Sequence, residues 1–317
     1  MTWNKLNETI ERNSTFLISS HLSLDGDCVG SQLAFYWYLN SIGKTVKMYC
    51  SDPVPSKFLF LQNSRLIEDH KPDDSFDVLM ILDCSNPART GWQGQEKIAD
   101  TIINIDHHRD NTHFGAINHV NVNAAATGEI IYDFFKDNGI HYPPFVAQAL
   151  YTAIMTDTGG FRFSNTSSRI LRKCADISDQ GADCSKIYEL VYSSHSQQGL
   201  LLQSKIWSTL SFHLEGKVCS MNMPLKAIEE TGALYSDSEG MSDYTITAKG
   251  VEVGMLCKHT PSETHFSLRS KGKIDVGRIA QKVPGGGGHS CAAGCTIKRP
   301  FKAALDYMLS ILEQELD

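Results

Sequence analysis

The stretch Thr101-Ile102-Ile103-Asn104-Ile105-Asp106-His107-His108 decides how this chain is read. Its first part is rich in β-branched residues and reads as a buried strand, so the three polar residues sit where a strand gives way to a loop. Open α/β sheets bind their ligands at that place. A carboxylate followed by two imidazoles can supply a metal ligand, a proton donor or phosphate contact, and an orienting acceptor, the set that hydrolytic chemistry needs. Taken alone, the pair is equally compatible with two ordinary loop histidines.

Other strand ends carry similar groups. The apolar run Thr15-Phe16-Leu17-Ile18-Ser19-Ser20 leads into His21-Leu22-Ser23-Leu24-Asp25-Gly26-Asp27, and residues 32–42 then repeat apolar positions at helical spacing up to Gly43. This predicts strand, polar loop, helix. A second run, Asp77-Val78-Leu79-Met80-Ile81-Leu82, ends at Asp83 before a Cys84-Ser85-Asn86-Pro87 turn. Residues 143–154 place apolar pairs four apart behind two prolines, which predicts a helix running into Asp157-Thr158-Gly159-Gly160-Phe161-Arg162. Thr127, after three alanines, is either a phosphate contact or a helix cap.

Each of these acids, taken singly, reads as a turn or capping residue. Together they do not. Converging carboxylates at Asp25, Asp27, Asp83 and Asp157 would repel one another and oppose folding unless cations or protons intervened. Divalent ions resolve the conflict, and a carboxylate and imidazole donor set suits Mn²⁺ or Mg²⁺ better than a structural Zn²⁺. With so few ligands for two ions, at least one carboxylate must bridge them.

Length alone, at 317 residues, suggests about two domains. Residues 197–210 read as a connecting helix or as a core helix of the first domain. From Ser211 the pattern shifts to short alternating runs, which predicts a small α+β domain with an antiparallel sheet. Within residues 265–282, Arg269, Lys271, Lys273, Arg278 and Lys282 face the single acid Asp275, a local anion patch or a solvated charged face. Pro284-Gly285-Gly286-Gly287-Gly288-His289 follows, a run whose backbone amides can approach an anion or a planar base and whose small following residues can open a helix. The net charge of −7 argues against coating long duplex nucleic acid. Nine cysteines without a CxxC pair, no signal-like N-terminus and no membrane-length apolar run point to a reducing, cytoplasmic setting without membrane insertion.

The ordered set His21-Leu22-Ser23-Leu24-Asp25-Gly26-Asp27, Asp83, Asp106-His107-His108, Asp157-Thr158-Gly159 and Gly285-Gly286-Gly287-Gly288-His289 resembles the DHH/DHHA1 phosphoesterase family, most closely its nano-RNase and 3'-phosphoadenosine 5'-phosphate (pAp) phosphatase branch. The resemblance implies an α/β fold. An N-terminal DHH domain at 1–195 would carry a mainly parallel sheet flanked by helices, a helical connector would occupy 196–212, and a smaller α+β DHHA1 domain 213–317. It implies that His21, Asp25 and Asp83 bind one Mn²⁺ and Asp27, Asp83, His107 and Asp157 a second, with Mg²⁺ or Co²⁺ as substitutes. His108 would contact the scissile phosphate and Asp106 orient a histidine. Arg269 and the loop Gly286, Gly287, Gly288 and His289 would hold the nucleotide, with Arg162 and Thr127 as further substrate contacts. Two departures stand out: Leu24, where many members carry proline, and Cys28, which places a thiol near the metals.

The implied activity is two-metal hydrolysis of short oligoribonucleotides to mononucleotides and of pAp to AMP, with short RNA and nucleotides as partners and a homodimer admitted. A linear or cyclic dinucleotide phosphodiesterase (pApA, c-di-AMP) and a pyrophosphatase or exopolyphosphatase are the rival chemistries. A nucleotide-binding module without turnover is the rival outside catalysis.

Overall fold

The computed structural model describes residues 3–288 and 290–316. The chain forms two compact units, Met1–Ser194 and His195–Asp317. The first contains α1 (Asn4–Arg12), β1 (Thr15–Ser19), α2 (Gly26–Ser41), β2 (Thr45–Tyr49), β3 (Ile67–Glu68), β4 (Phe76–Leu82), β5 (Ala99–Asp106), β6 (Ile117–Val120), α3 (Thr127–Asp137), α4 (Pro144–Asp157), α5 (Ser168–Asp179) and α6 (Cys184–Tyr192). All strands of its sheet run parallel in the order β3-β2-β1-β4-β5-β6. The order reverses between β1 and β4, and that crevice is where a doubly wound sheet leaves room at its carboxyl edge.

Register sets the level of the site. Ser19 pairs with Ile81, and Leu82 with Ile105, so the residues after β1, β4 and β5 emerge at one edge. Strands β1 and β4 are buried almost throughout, which is why they read as near-continuous apolar runs.

Helix α2 starts at Gly26, earlier than its apolar periodicity indicates. The polar residues 25–31 are its first turns, with Asp25 as N-cap accepting from the Cys28 amide at 3.0 Å. Apolar spacing could not reveal this, because in residues 26–31 only Cys28 and Val29 are apolar, set among glycines, a serine and an acid. The glycines are needed for packing: a Cβ at Gly26 would run into Thr156, one at Gly30 into the Ala149 carbonyl, and one at Gly128 would come within 2.5 Å of the Ala153 Cβ. Helices α2 and α3 thus both lie against α4 at backbone distance.

The second unit holds α7 (Gln197–Trp207), β7 (Ser211–His213), β8 (Val218–Pro224), α8 (Lys226–Thr231), α9 (Met241–Tyr244), β9 (Val253–His259), β10 (Thr264–Ser270), α10 (Val276–Gln281), β11 (Gly287–Gly288), β12 (Ala292–Ile297) and α11 (Phe301–Leu316). Its sheet, in the order β11-β12-β10-β9-β8-β7, is mixed because β8 and β9 run parallel, against the purely antiparallel expectation. Helices α10 and α11 share one core with β9, β10 and β12. On α7, Leu202 and Ile206 pack with Met221, Met223 and Leu256 in another. The small residues after the glycine run form β12, not a helix start, since Ala292 and Gly294 pair with Arg269 and Ser267 of β10. Among the described residues no helix is long and apolar enough to cross a membrane.

The α2–α4 contact has a direct test. Gly30→Ala should destabilise the protein by about 1–3 kcal/mol through overpacking, read as a lowered urea midpoint. A midpoint equal to wild type would show that the helices are not held at backbone contact.

Candidate metal centre

The centre is built around Asp83, which is 1% exposed and left-handed at φ 55. A non-glycine residue holds that conformation only when its surroundings fix it, and aspartate tolerates it better than most. Three bonds do the fixing. The Asp83 amide donates to the Ile105 carbonyl at 2.9 Å. The side-chain amide of the buried Asn104 donates to the carbonyls of Ile81 (3.0 Å) and Cys84 (3.1 Å), on either side of the turn. The carboxylate is thereby aimed out of the sheet edge.

Its two oxygens face different neighbours. Oδ2 lies 3.6 Å from His21 Nε2 and accepts from the Cys28 thiol at 3.4 Å, while Oδ1 lies 3.5 Å from His107 Nε2 and accepts from the Thr127 hydroxyl at 3.1 Å. His21 donates from Nδ1 to the Leu22 carbonyl at 2.5 Å, which turns Nε2 toward Asp83 and Asp25. Asp25, half-exposed, stands 3.8 Å from the same nitrogen.

On the other side, His107 Nε2 is 3.1 Å from Asp157 and 3.9 Å from Asp27. Asp27 is fully buried at the start of α2 and receives the Thr127 amide (2.5 Å), the Gly128 amide (2.8 Å) and the Ser31 hydroxyl (3.0 Å). The first two amides belong to the N-terminus of α3, whose unsatisfied donors favour an anion. Asp157 ends α4.

His108 is held differently from its neighbour. Its Nδ1 lies 2.7 Å from Asp106, a wholly buried carboxylate that also accepts from Asn111 at 2.6 Å. The two adjacent rings sit 4.7 Å apart at 58°.

Electrostatics follow from burial against these contacts. For Asp83 burial opposes charge, but the hydrogen bond and charge of His21, joined by His107 and His108, hold the carboxyl well below its usual range. Burial and the charges of Asp83 and Asp157 push Asp27 well above it. Burial also raises Asp157, with His107 pulling the other way. Burial disfavours protonated His21, yet Asp83 and Asp25 outweigh it and lift the imidazole to about 9. His107 is likewise raised against its burial by Asp157, Asp83 and Asp27. For Asp27, Asp157, His21 and His107 the shift favours the protonated form.

The donor atoms meet the spacing of a metal site. His21, Asp25, Cys28 and Asp83 form one group, Asp27, His107 and Asp157 another, and Asp83, His107 and His108 a third, each with donor atoms within 4.8 Å. Hard carboxylates mixed with imidazoles fit divalent cations of the Mn²⁺ or Mg²⁺ kind.

The substrate contacts expected from the sequence divide between the units. Thr127 is committed to Asp83 and Asp27 through hydroxyl and amide, as a support for these two candidate ligands. Arg162 lies on the loop after Asp157 and donates from Nε to the Gly159 carbonyl at 2.7 Å. In the second unit, Arg269 pairs with Asp243 at 2.7 Å, and Gly287 and Gly288 pair with Gly294 and Ala293 while Gly286 precedes them. His289 lies outside the described residues. Ser31, Asn104, Asn111 and Cys28 as a donor to Asp83 were not foreseen. Asn104 alone carried a signal, a polar residue inside an apolar strand, which must find partners when buried.

A carboxylate and imidazole cluster at the switch point of a parallel sheet, followed by a second small unit built on a mixed sheet, defines a class of two-unit α/β protein with a candidate divalent-metal centre. Residues 15–154 match the DHH family, N-terminal domain, and residues 222–317 match the DHHA1 domain. The chain belongs to the DHH/DHHA1 family. It is 30% identical over 302 residues, 94% of this chain and 89% of the relative, to a Thermus thermophilus protein named bifunctional oligoribonuclease and PAP phosphatase NrnA. It is 22% identical over 296 residues, covering 92% of each chain, to the Bacillus subtilis protein of the same name. The crystal structure of an exopolyphosphatase-related protein from Bacteroides fragilis shares the fold, with a TM-score of 0.91 at 24% identity over 98% of this chain and 95% of that one.

Two measurements test the centre. Thr127→Val, which removes the hydroxyl that holds Asp83, should weaken Mn²⁺ binding about 10- to 100-fold by calorimetry, and an unchanged affinity would refute the supporting role. Because His21 and His107 hold protons more tightly than free imidazole, metal must displace them. Mn²⁺ affinity should therefore rise with pH up to about 9, where His21 deprotonates unaided. Titrations in buffers of different ionisation enthalpy should detect the released protons; the same apparent enthalpy in every buffer would contradict the displacement.

Proposed function

We propose that this chain is a metal-dependent phosphoesterase that hydrolyses short oligoribonucleotides to mononucleotides and pAp to AMP. The observation that carries the reading is the division of Asp83: one oxygen toward His21 and the other toward His107, each at about 3.5 Å. A carboxylate so placed can serve two cations at once. The names of the relatives supply the substrate class.

In this reading His21, Asp25 and Asp83 would hold one divalent cation, and Asp27, Asp83, His107 and Asp157 a second. Divalent ions, Mn²⁺ by preference, supply Lewis acidity to the phosphoryl oxygens and lower the pKa of water. His108, steadied by Asp106, donates a hydrogen bond to the phosphoryl group and stabilises the charge that builds on it. Water loses one proton as its oxygen bonds to phosphorus, the ester P–O bond breaks, and the departing alkoxide takes up a proton in exchange, so that the net reaction consumes one water. Arg162, on the loop after Asp157, is a nucleotide contact of the first unit, and Arg269 with the glycine stretch is the nucleotide-binding element of the second. The acidic protein, with only local basic groups, suits short substrates in the cytoplasm over long duplexes.

The likeness to an exopolyphosphatase-related protein carries the fold and not the substrate. Purified protein with Mn²⁺ should release mononucleotides from a dinucleotide and orthophosphate from pAp, and Asp83→Ala should lose at least about 10³-fold in kcat/KM, as expected when transition-state charge stabilisation is removed. Near wild-type turnover in that variant would sink the assignment. Orthophosphate from pyrophosphate without mononucleotide from a dinucleotide would replace the substrate class.

A further inference from the structure

The loop that follows Asp157 is more rigid than a turn requires. Gly159, Gly160 and Phe161 are left-handed in succession, at φ 58, 68 and 66. Phenylalanine pays a steric cost there that glycine does not, so the conformation has to be imposed. Thr158 imposes it: its carbonyl accepts the amides of Arg162 (3.0 Å) and Phe163 (3.1 Å), and its hydroxyl accepts that of Phe161 (3.2 Å). The Phe161 ring turns inward against Tyr151, 5.9 Å away. Asn165 then ties the loop to the metal ligand itself, donating to the Asp157 carbonyl at 3.0 Å.

This rigidity presents aromatic faces to solvent. The Phe163 ring lies over Gly159, so close that a Cβ there would come within 2.5 Å of it, yet Phe163 remains 48% exposed. Over Gly160 stand Tyr188 and Tyr192 of α6, whose ring edges would lie 3.5 and 3.6 Å from a Cβ at that position. Their centroids are 5.2 Å apart, and Tyr188 is also 48% exposed. Arg162 sits between, its guanidinium 5.9 Å from the Phe163 centroid and anchored through Nε to Gly159. That anchor leaves the planar edge carrying both terminal nitrogens, the edge that recognises phosphate in two-point fashion.

Exposed rings beside an oriented guanidinium are how proteins hold single-stranded nucleic acid, because every base offers a π-face whatever its sequence. We propose that Phe163, with the Tyr188 and Tyr192 rings, is the stacking subsite for a nucleobase neighbouring the scissile phosphate, and that Arg162 engages a phosphate at its edge. The inference rests on the phosphoesterase reading and assigns to the first unit a base contact of its own. It makes the surface beside the metal centre selective for nucleotides over base-free phosphate esters.

The test compares the dinucleotide ApA with its abasic counterpart, by calorimetry in EDTA and by turnover with Mn²⁺. Phe163→Ala should weaken ApA binding and raise its KM about tenfold, within the range for one base–aromatic stack. Its kcat should stay within about twofold, as for loss of uniform binding. Phe163→Trp should restore both, and the abasic compound should bind wild type and Phe163→Ala alike. Equal ApA binding by wild type and Phe163→Ala overturns the subsite. So does a loss that tryptophan does not rescue, or one shared by the abasic compound. Wild-type protein that cleaves ApA while Phe163→Ala is unaffected removes the subsite and keeps the hydrolase. Binding of ApA that depends on Phe163 but never leads to cleavage removes the hydrolase and keeps the subsite.

Discussion

The structure depends on keeping one charged carboxylate, Asp83, buried at the end of a parallel sheet. Removing such a group from water costs several kcal/mol on the order expected for a buried ion, and only close compensation keeps it ionised. Compensation comes from three directions: His21 after β1, His107 and His108 after β5, and the Thr127 hydroxyl at the start of α3. The histidines arrive because the strand order places β1 and β5 on either side of β4. The switch in that order leaves the crevice into which all of them point.

Helix packing serves the same centre. Asp27 can be buried only because the first turn of α3 delivers two amides to it, and α3 reaches that position by lying against α4 at Gly128. Gly26 and Gly30 bring α2 against the same helix, and Asp157 is its last residue. A side chain added at any of these glycines would therefore move a candidate metal ligand as well as a helix. Fold stability and ligand geometry share the same contacts, so neither can be altered separately here.

What was legible in the sequence were groups that interrupt a pattern. Strong apolar runs ending at Asp83 and Asp106 showed the strands and their edge, and the repulsion among the acids implied a compensating charge. The start of α2 was hidden, since its first turns contain glycines used for packing and the acid Asp27, which carry no apolar period. Ser31 was hidden with it: only once residues 26–31 are helical does it fall one turn from Asp27. Asn111 gave no signal, because its contact with Asp106 is made by a loop whose path the sequence does not encode locally. In the second unit, the small residues after the glycine run served a strand, because β10 offered Ser267 and Arg269 as ladder partners, and pairing across a sheet is invisible to local composition.

The pair His107 and His108 shows why an acid precedes two histidines. Adjacent side chains leaving a strand point apart, and each needs its own partner to fix its ring. His107 turns to Asp157, Asp83 and Asp27, so its nitrogen sits among the candidate ligands. His108 turns back to Asp106, which burial alone would drive toward neutrality but which the hydrogen bond and charge of His108 hold below the usual carboxylate range, with Asn111 as a further donor. An ionised Asp106 keeps the His108 ring in one orientation. The acid therefore gives two identical side chains different surroundings: one faces the donor cluster, and the other is anchored behind it.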